Sequence, residues 1–535
     1  MPRIDITEQE EATLTAFDIT ENVVLIPILY ARNYDNNWVV KSEDDLKTKT
    51  YKSYKTFKNE FSASSGYPGG GKDSAGKRFI YVGDSQAAQP DASYIMIYEC
   101  LLHGLTVVVK PIAISDDVIK THWDSTNRRV VLTKSEYHEI LEDAICNKNA
   151  LEEFKSRNIY NIKFITSGAY SNYGHCVYAP RRVVPDLSIQ DPSVNSIYLN
   201  DALTIDPNAT VGSKVVIQIE SVSKTKTVVA NYDTKSEVKL AEALIYDRNA
   251  NVGDTVNVVA LCSIADELVA TAVSRGGDAI ALCELKESFS DNKELLDELS
   301  GLTPDSNYKY SAMFYPWINI RSGAVSSTIG EYKLPACFGY LMAYANSVQT
   351  NANWFAAAGV QRGYIPTLTS TTAEVSEALM HALQGDNASD VYAEYQLNVR
   401  VNPIMNTGNY GTRIWGNKTT YAGFSATGTK YTDFLNVRVL VCDIRKQLYH
   451  SSIKTTFEPN DDIVWLNFKT LTNTLLEKMK SGRGIQWYKW TKEKTSEKAV
   501  IKCNLEIKPI EAVESFDISI TLTDEDLSAE ESDQI

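Results

Sequence analysis

Cysteine is scarce in this chain and never paired. Eight are scattered over 535 residues (Cys100, Cys146, Cys176, Cys262, Cys283, Cys337, Cys442, Cys503), with no C-x-x-C among them. That spacing excludes a disulfide-stapled scaffold and a zinc ribbon, and apolar neighbours such as Ala281-Leu282 before Cys283 read as reduced core thiols. Histidine is rarer still. None of the six (His103, His122, His138, His175, His381, His450) lies in a nucleophile–base context, and His175-Cys176, the only close His/Cys pair, has no second pair at zinc spacing. There is no G-x-S-x-G elbow. No apolar run reaches the roughly eighteen residues of a membrane span. The start, Met1 to Glu8, is acidic and lacks an apolar h-region, so no signal peptide is expected. Positive charge is also short: 53 Lys and Arg against 68 Asp and Glu give −15, the wrong sign for a sequence-independent nucleic-acid coat. The expectation is therefore no catalytic residue, no cofactor, no metal, no direct nucleic-acid binding and no membrane insertion.

What is present is core. A hydrophobic fraction of 43% and an aromatic fraction of 10% suit a globular chain of about three or four domains. Residues 1–22 alternate weakly (Ile4, Ile6, Leu14, Phe17, Ile19) and read as an extended arm. Residues 23–157 form an α+β region opening on the apolar run Val23–Tyr30, with a Gly/Ser loop at 62–77, a helix near Tyr94–Leu105 and a strand at Leu105–Val109. Over 158–394 the pattern is α/β: strands at Tyr160–Ile165, Ala279–Cys283 and Tyr308–Tyr315, a helix over Ser263–Ser274, and a Gly276-Gly277 turn. Short apolar strands with a helix between them imply a mostly parallel sheet covered on both faces. Residues 180–261 interrupt it with a β-rich insert, in which Val211–Ile217 is echoed by Val252–Val258.

The C-terminal region, 395–510, opens on an expected strand at Tyr395–Val401 and a turn-rich stretch at 406–418. A helix follows with Val437, Val441, Ile444 and Leu448 on one face. Next comes Phe457-Glu458-Pro459-Asn460-Asp461-Asp462-Ile463-Val464-Trp465, a helix start with Asn460 as N-cap and Asp461 and Asp462 on the positive end of the dipole. Val464, Phe468, Leu471, Leu475 and Met479 make its apolar stripe, and Lys478, Lys480 and a left-handed Gly482 close it. Ile501, Cys503, Leu505 and Ile507 then alternate with polar residues, as do Phe516, Ile518, Ile520 and Leu522 within 511–535, a terminal arm strand running into an acidic tail. Each terminal strand either closes an edge of its own domain or adds to the sheet of a neighbouring subunit. Trp487-Tyr488-Lys489-Trp490 is the aromatic cluster best suited to an interface.

One enzymatic motif comes close. Gly66–Asp73 (G-Y-P-G-G-G-K-D) nearly matches a P-loop, but Asp73 stands where Ser or Thr would hold magnesium, so a nucleotide-binding enzyme using loop 66–77 is the different-class alternative.

Several segments, in order, resemble those of contractile tail sheath proteins of the phage type: Tyr308–Trp317 (Y-K-Y-S-A-M-F-Y-P-W), Leu334-Pro335-Ala336, Trp354–Gly359, Asn402-Pro403-Ile404, Gly411–Thr419 (G-T-R-I-W-G-N-K-T), Leu435–Leu440 and Phe457–Trp465. The chain departs at Asn417-Lys418, Val439 and Ala357, where that family usually has Ala-Arg, Arg and Pro. The resemblance implies an α/β core of subtilisin-like topology without protease chemistry, a C-terminal α+β domain, an inserted β-rich domain and extended terminal arms. It further implies a non-enzymatic structural subunit of a virion tail, assembled in the host cytoplasm, that stacks as hexameric rings in a helical sheath. Its partners would be further copies, the tail tube protein, and baseplate and tail terminator proteins. The sheath of a contractile bacteriocin or injection system is the alternative. Residues 116–157 and 180–261 would be protruding parts. Ile4–Ile19, Ile501–Ile507 and Phe516–Leu522 would be linking strands, and Arg438, Arg445, Lys446, Lys478 and Arg483 candidates for tube or neighbour contacts.

Overall fold

The computed structural model describes residues 21–30, 47–61, 79–83, 88–124, 129–169, the strands between 187 and 260, 264–300, 302, 304–324, 330–385, 390–421 apart from 393 and 396, 433–493, 500–510 and 512. Both expected terminal arms (Ile4–Ile19, Phe516–Leu522), the Gly-rich loop, His175-Cys176 and the acidic tail lie outside the described residues.

The apolar runs become the strands of one sheet. They are β1 (Val23–Tyr30), β2 (Lys49–Tyr51), β3 (Thr106–Ala113), β4 (Phe164–Thr166), β5 (Ile280–Cys283), β6 (Ser311–Tyr315), β7 (Asn402–Asn406) and β8 (Thr412–Ile414). Their order is β2-β3-β1-β4-β5-β6-β7-β8, parallel from β3 through β7 and antiparallel at both edges. All eight residues of β1 are buried, and successive side chains of a strand point to opposite faces, so the sheet is covered on both. Helix α1 (Ala92–Leu102), almost wholly buried, packs on β1 and β3; α2 (Ile264–Ser274) packs on β4 and β5; α3 (Ala336–Val348) packs on β6 and against α1.

The strand order reverses between β1 and β4, the place where open α/β sheets hold ligands beyond the carboxyl ends of their strands. Here that place is filled by protein. Tyr137 donates to Asp91 (2.9 Å) and Ser93 (3.2 Å), Asp91 caps α1, and Ser93 accepts the amide of Ala169 just after β4 (2.9 Å). Gly168, at φ 82°, brings its backbone so close that a Cβ would stand 2.8 Å from the Pro27 carbonyl.

The strand expected at Tyr395–Val401 is not formed: only Val399 makes an isolated bridge, to Tyr421, and the strand starts at Asn402. Pro403 has no amide to give and is tolerated there because it stands at the start of the strand. Within 180–261 the described backbone forms six antiparallel strands between Leu187 and Ala260. Smaller sheets flank the main one: Gly330–Leu334 and Leu368–Thr371 on either side of Ile318–Ser322, and four short strands around Phe79–Val82 and Arg129–Leu132. No described helix is long and apolar enough to cross a membrane.

Candidate functional site: the C-terminal unit and its groove

Two long helices and a hairpin complete the described fold: α4 (Leu435–Thr455), α5 (Asp462–Ser481), β9 (Ile485–Glu493) and β10 (Lys502–Pro509). Helix α4 runs along the amino ends of the parallel strands. Arg438 lies over the Tyr310 ring ahead of β6 (4.8 Å to the centroid), Cys442 points its thiol at the Gly277 carbonyl ahead of β5, and Asp443 binds Lys163 ahead of β4 (3.0 Å). Asn22, ahead of β1, accepts from Lys163 (3.0 Å) and from the Tyr344 hydroxyl (2.9 Å). The Arg275–Asp278 pair (2.8 Å) is buried nearby, and Arg275 also satisfies the carbonyls of Phe154 and Tyr160. Charges this deep persist because each is paired or hydrogen-bonded.

Lys446 is the exception. Its ammonium is buried and makes no hydrogen bond among the described residues. Burial pushes its pKa down to about 8, against the opposing pull of Asp278. Burial likewise lowers that of Arg438. These two side chains are 2% and 3% exposed, which corrects the expectation that they face a tube or a neighbour: they lie buried between α4 and the core. Arg445 is half-buried and donates to the Gly276 carbonyl (2.6 Å). Lys478 and Arg483 are exposed.

Segments quoted above for their resemblance meet in a buried chain of amides. Asn402 donates to the carbonyls of Met313 (3.0 Å) and Lys418 (2.8 Å) and accepts the Lys418 amide (2.6 Å). Asn417 donates to Asn436 (2.7 Å), and Asn436 donates to the Trp354 carbonyl (3.1 Å). The Trp354 indole then donates to the Gly482 carbonyl at the end of α5 (2.9 Å). The chain of bonds runs from β6 and β7 of the sheet to the C-terminal unit.

Trp354 also centres a second core with Leu440, Ile444, Leu475, Leu476, Met479 and Ile485. A Cβ on Gly482 would stand 2.7 Å from its ring and one on Gly484 2.9 Å, so both glycines are there for close approach. Gly482 is not left-handed, as expected from sequence; its φ is −87°, and Arg483 takes the positive value of 61°. The start of α5 shifts too. Asp461, not Asn460, is the N-cap, accepting the amides of Ile463 and Val464 at 2.9 Å each. In the apolar stripe, Thr472 is buried where Leu471 was expected, because its hydroxyl bonds back to the Phe468 carbonyl (3.0 Å) and leaves its methyl to pack.

The hairpin is tied to α5 by Tyr488–Glu477 (2.6 Å), Trp490–Asn473 (2.9 Å), Lys492–Asp462 (2.8 Å) and a triangle of Trp465, Phe468 and Trp490 rings 5.7–6.1 Å apart. Strand β10 pairs with β9 inside the chain, and among the described residues neither outer edge of this two-stranded sheet has a third strand. Leu505 and Ile507 pack against the second core; Cys503 is exposed, unlike the buried Cys100, Cys146, Cys283, Cys337 and Cys442. Between α4, the start of α5 and β10 lies a groove of about 800 Å³ walled by Leu448, Val464, Trp465, Phe468, Trp490 and Leu505, with Arg157 and Arg445 at its core end. No His/Cys/Asp/Glu group able to hold a metal occurs among the described residues.

No protein-family model matches the sequence, and no curated protein sequence matches it. Solved structures do. A chain from the baseplate of the anti-feeding prophage, 6-fold symmetrised, is 11% identical with a TM-score of 0.50, covering 94% of each chain. The chain shares that fold. A chain of the same baseplate in its contracted state is 12% identical (TM-score 0.49, 98% of this chain and 99% of that one). One from the sheath complex of the extracellular contractile injection system PVC, in its contracted state, is 10% identical (TM-score 0.47, 98% of each).

The groove, the interior ion pairs and the amide chain were not recognised in the sequence. Lys163 inside Asn161-Ile162-Lys163-Phe164-Ile165 and Asp443 inside Val441-Cys442-Asp443-Ile444, single charges within apolar runs, were the available signals.

Proposed function

We propose that this chain is a non-enzymatic structural subunit of a contractile sheath, stacking as hexameric rings around a tube and contracting to drive that tube through an envelope. The observation that supports the reading is the fold shared with a chain of the anti-feeding prophage baseplate over 94% of each chain at a TM-score of 0.50, together with the ordered segments that resemble sheath proteins. A switch-point crevice packed with Tyr137, Asp91 and Ser93 agrees with it. In this reading the core topology is subtilisin-like without its chemistry. Residues 1–22 and 511–535 link subunits by adding strands, the open edges of β9 and β10 are their docking places, and residues 116–157 and 180–261 protrude outward. Arg445, Lys478 and Arg483 remain candidates for contacts with a tube or neighbour. Further partners are baseplate and terminator proteins, and the energy of contraction is a difference in subunit contacts between two packings.

Negative-stain microscopy of the purified chain, alone and with its tube and baseplate proteins, tests this. Hollow tubes or stacked rings are expected. A monodisperse monomer in every mixture sinks it. Whether the particle is a phage tail, with genome delivery, or an extracellular injection system is decided by whether purified particles carry a DNA-filled capsid.

A further inference from the structure

The groove beside the hairpin has the shape of an answer to a particular kind of segment. Its walls are mostly apolar, with Glu458 and Asn460 also lining it, and it holds two guanidinium groups without an acidic partner. Arg157 stacks on the Tyr449 ring (3.6 Å) and Arg445 donates to the Gly276 carbonyl, yet among the described residues neither has a carboxylate within salt-bridge distance. The matching occupant is an extended segment whose apolar side chains share one face and which then turns acidic. This chain carries one just past the hairpin. Phe516, Ile518, Ile520 and Leu522 alternate with Asp517, Ser519 and Thr521, and Asp524-Glu525-Asp526 follow.

Position and reach agree. The backbone leaves β10 at Pro509, and Ile510 donates to the Gly484 carbonyl. From there the groove wall at Leu505, Cys503 and Ile501 lies less than about 30 Å back along the strand, a span that roughly ten extended residues cover. Tethering raises the effective concentration of the segment to about the millimolar range, above that of any second copy in dilute solution.

We propose that in the unassembled subunit residues 516–526 dock into the groove of their own chain, covering it until assembly displaces them. The purpose of that cover rests on the sheath reading; the docking is a property of the free chain and is tested without assembly.

Cys503 lines the groove and is the one exposed cysteine among the described residues, so its maleimide labelling, located by peptide mass spectrometry, reports occupancy. The full chain is compared with one ending at Ala512, which loses no described residue and whose folding is checked by circular dichroism. Labelling should be about tenfold or more slower in the full chain, equally so at sub-micromolar and at tens of micromolar protein. Asp524→Asn, Glu525→Gln and Asp526→Asn together, or Arg157→Ala with Arg445→Ala, should remove part of that protection, about threefold. A peptide of residues 513–535 at millimolar concentration should restore it to the shortened chain. Equal rates in the two chains, or a peptide without effect, overturn the proposal. Protection that fades on dilution also overturns it and assigns the groove to a second copy. Protection without tubes would leave the docking standing and remove the sheath reading; tubes without protection would do the reverse.

Discussion

Gly482 shows how much of the C-terminal unit depends on single atoms. Its missing Cβ lets the Trp354 ring lie over the turn out of α5 and donate to the carbonyl there. Gly482→Ala must push a 2.7 Å contact apart, and overpacking of this kind costs about 1–3 kcal/mol, to be read from urea unfolding. Lys446 supplies a second test, with a pH signature. Its folded pKa lies near 8, below the ordinary lysine value of 10.5, so the unfolded chain holds the proton more tightly. The resulting penalty, about 3 kcal/mol, is complete below pH 8 and shrinks as pH rises from 8 to 10.5. Asp278 and Asp443 keep Arg275 and Lys163 if Lys446 is lost. Lys446→Met should therefore stabilise at pH 7 by about 1–3 kcal/mol, with the gain fading towards pH 10. An equal gain at both pH values would show that packing, not charge, is responsible.

Among the elements, legibility followed burial. Strands β1 and β5 are buried on both faces, and each stood out as an apolar run between turn signals, as did the Val107–Val109 part of β3. The helices α4 and α5 were legible from their three- and four-residue spacing. Their ends were less so, because the choice of cap depends on which carboxylate the backbone presents to the first amides. Asp461 holds two amides while Asn460 stands exposed one residue earlier. Asp461→Ala should cost about 1 kcal/mol and Asn460→Ala nearly nothing, and matched thermal melts decide between the two caps. The groove was illegible for a different reason. It is made by α4, α5 and β10 together, and no one of them carries a pattern that differs from an ordinary amphipathic element. The amide chain was half legible: its asparagines sat inside the segments that resembled a family, but nothing local said that they touch.

At the scale of the molecule, two kinds of connection hold the C-terminal unit to the sheet. The ionic contacts under α4 are neutralised in place, whereas the amide chain from Asn402 to Trp354 passes through a single residue, Asn436. Asn436→Ala leaves the Trp354 carbonyl and the Asn417 amide without their partners in a buried setting. The loss should be about 2–4 kcal/mol, and hydrogen exchange should show faster opening in α5 and the hairpin than in β1 and β3. The linking role proposed for the terminal arm makes the opposite demand. Every described residue of the two cores lies before residue 511, so the chain without residues 511–535 keeps them all and should melt within about 2 °C of the full one. Polymerisation should nevertheless be lost, because a lattice that slides between two packings stays connected only through segments that are not part of its rigid bodies. Melting curves and electron micrographs of the same truncated preparation separate the two roles: stable monomers support the links, and normal tubes refute them.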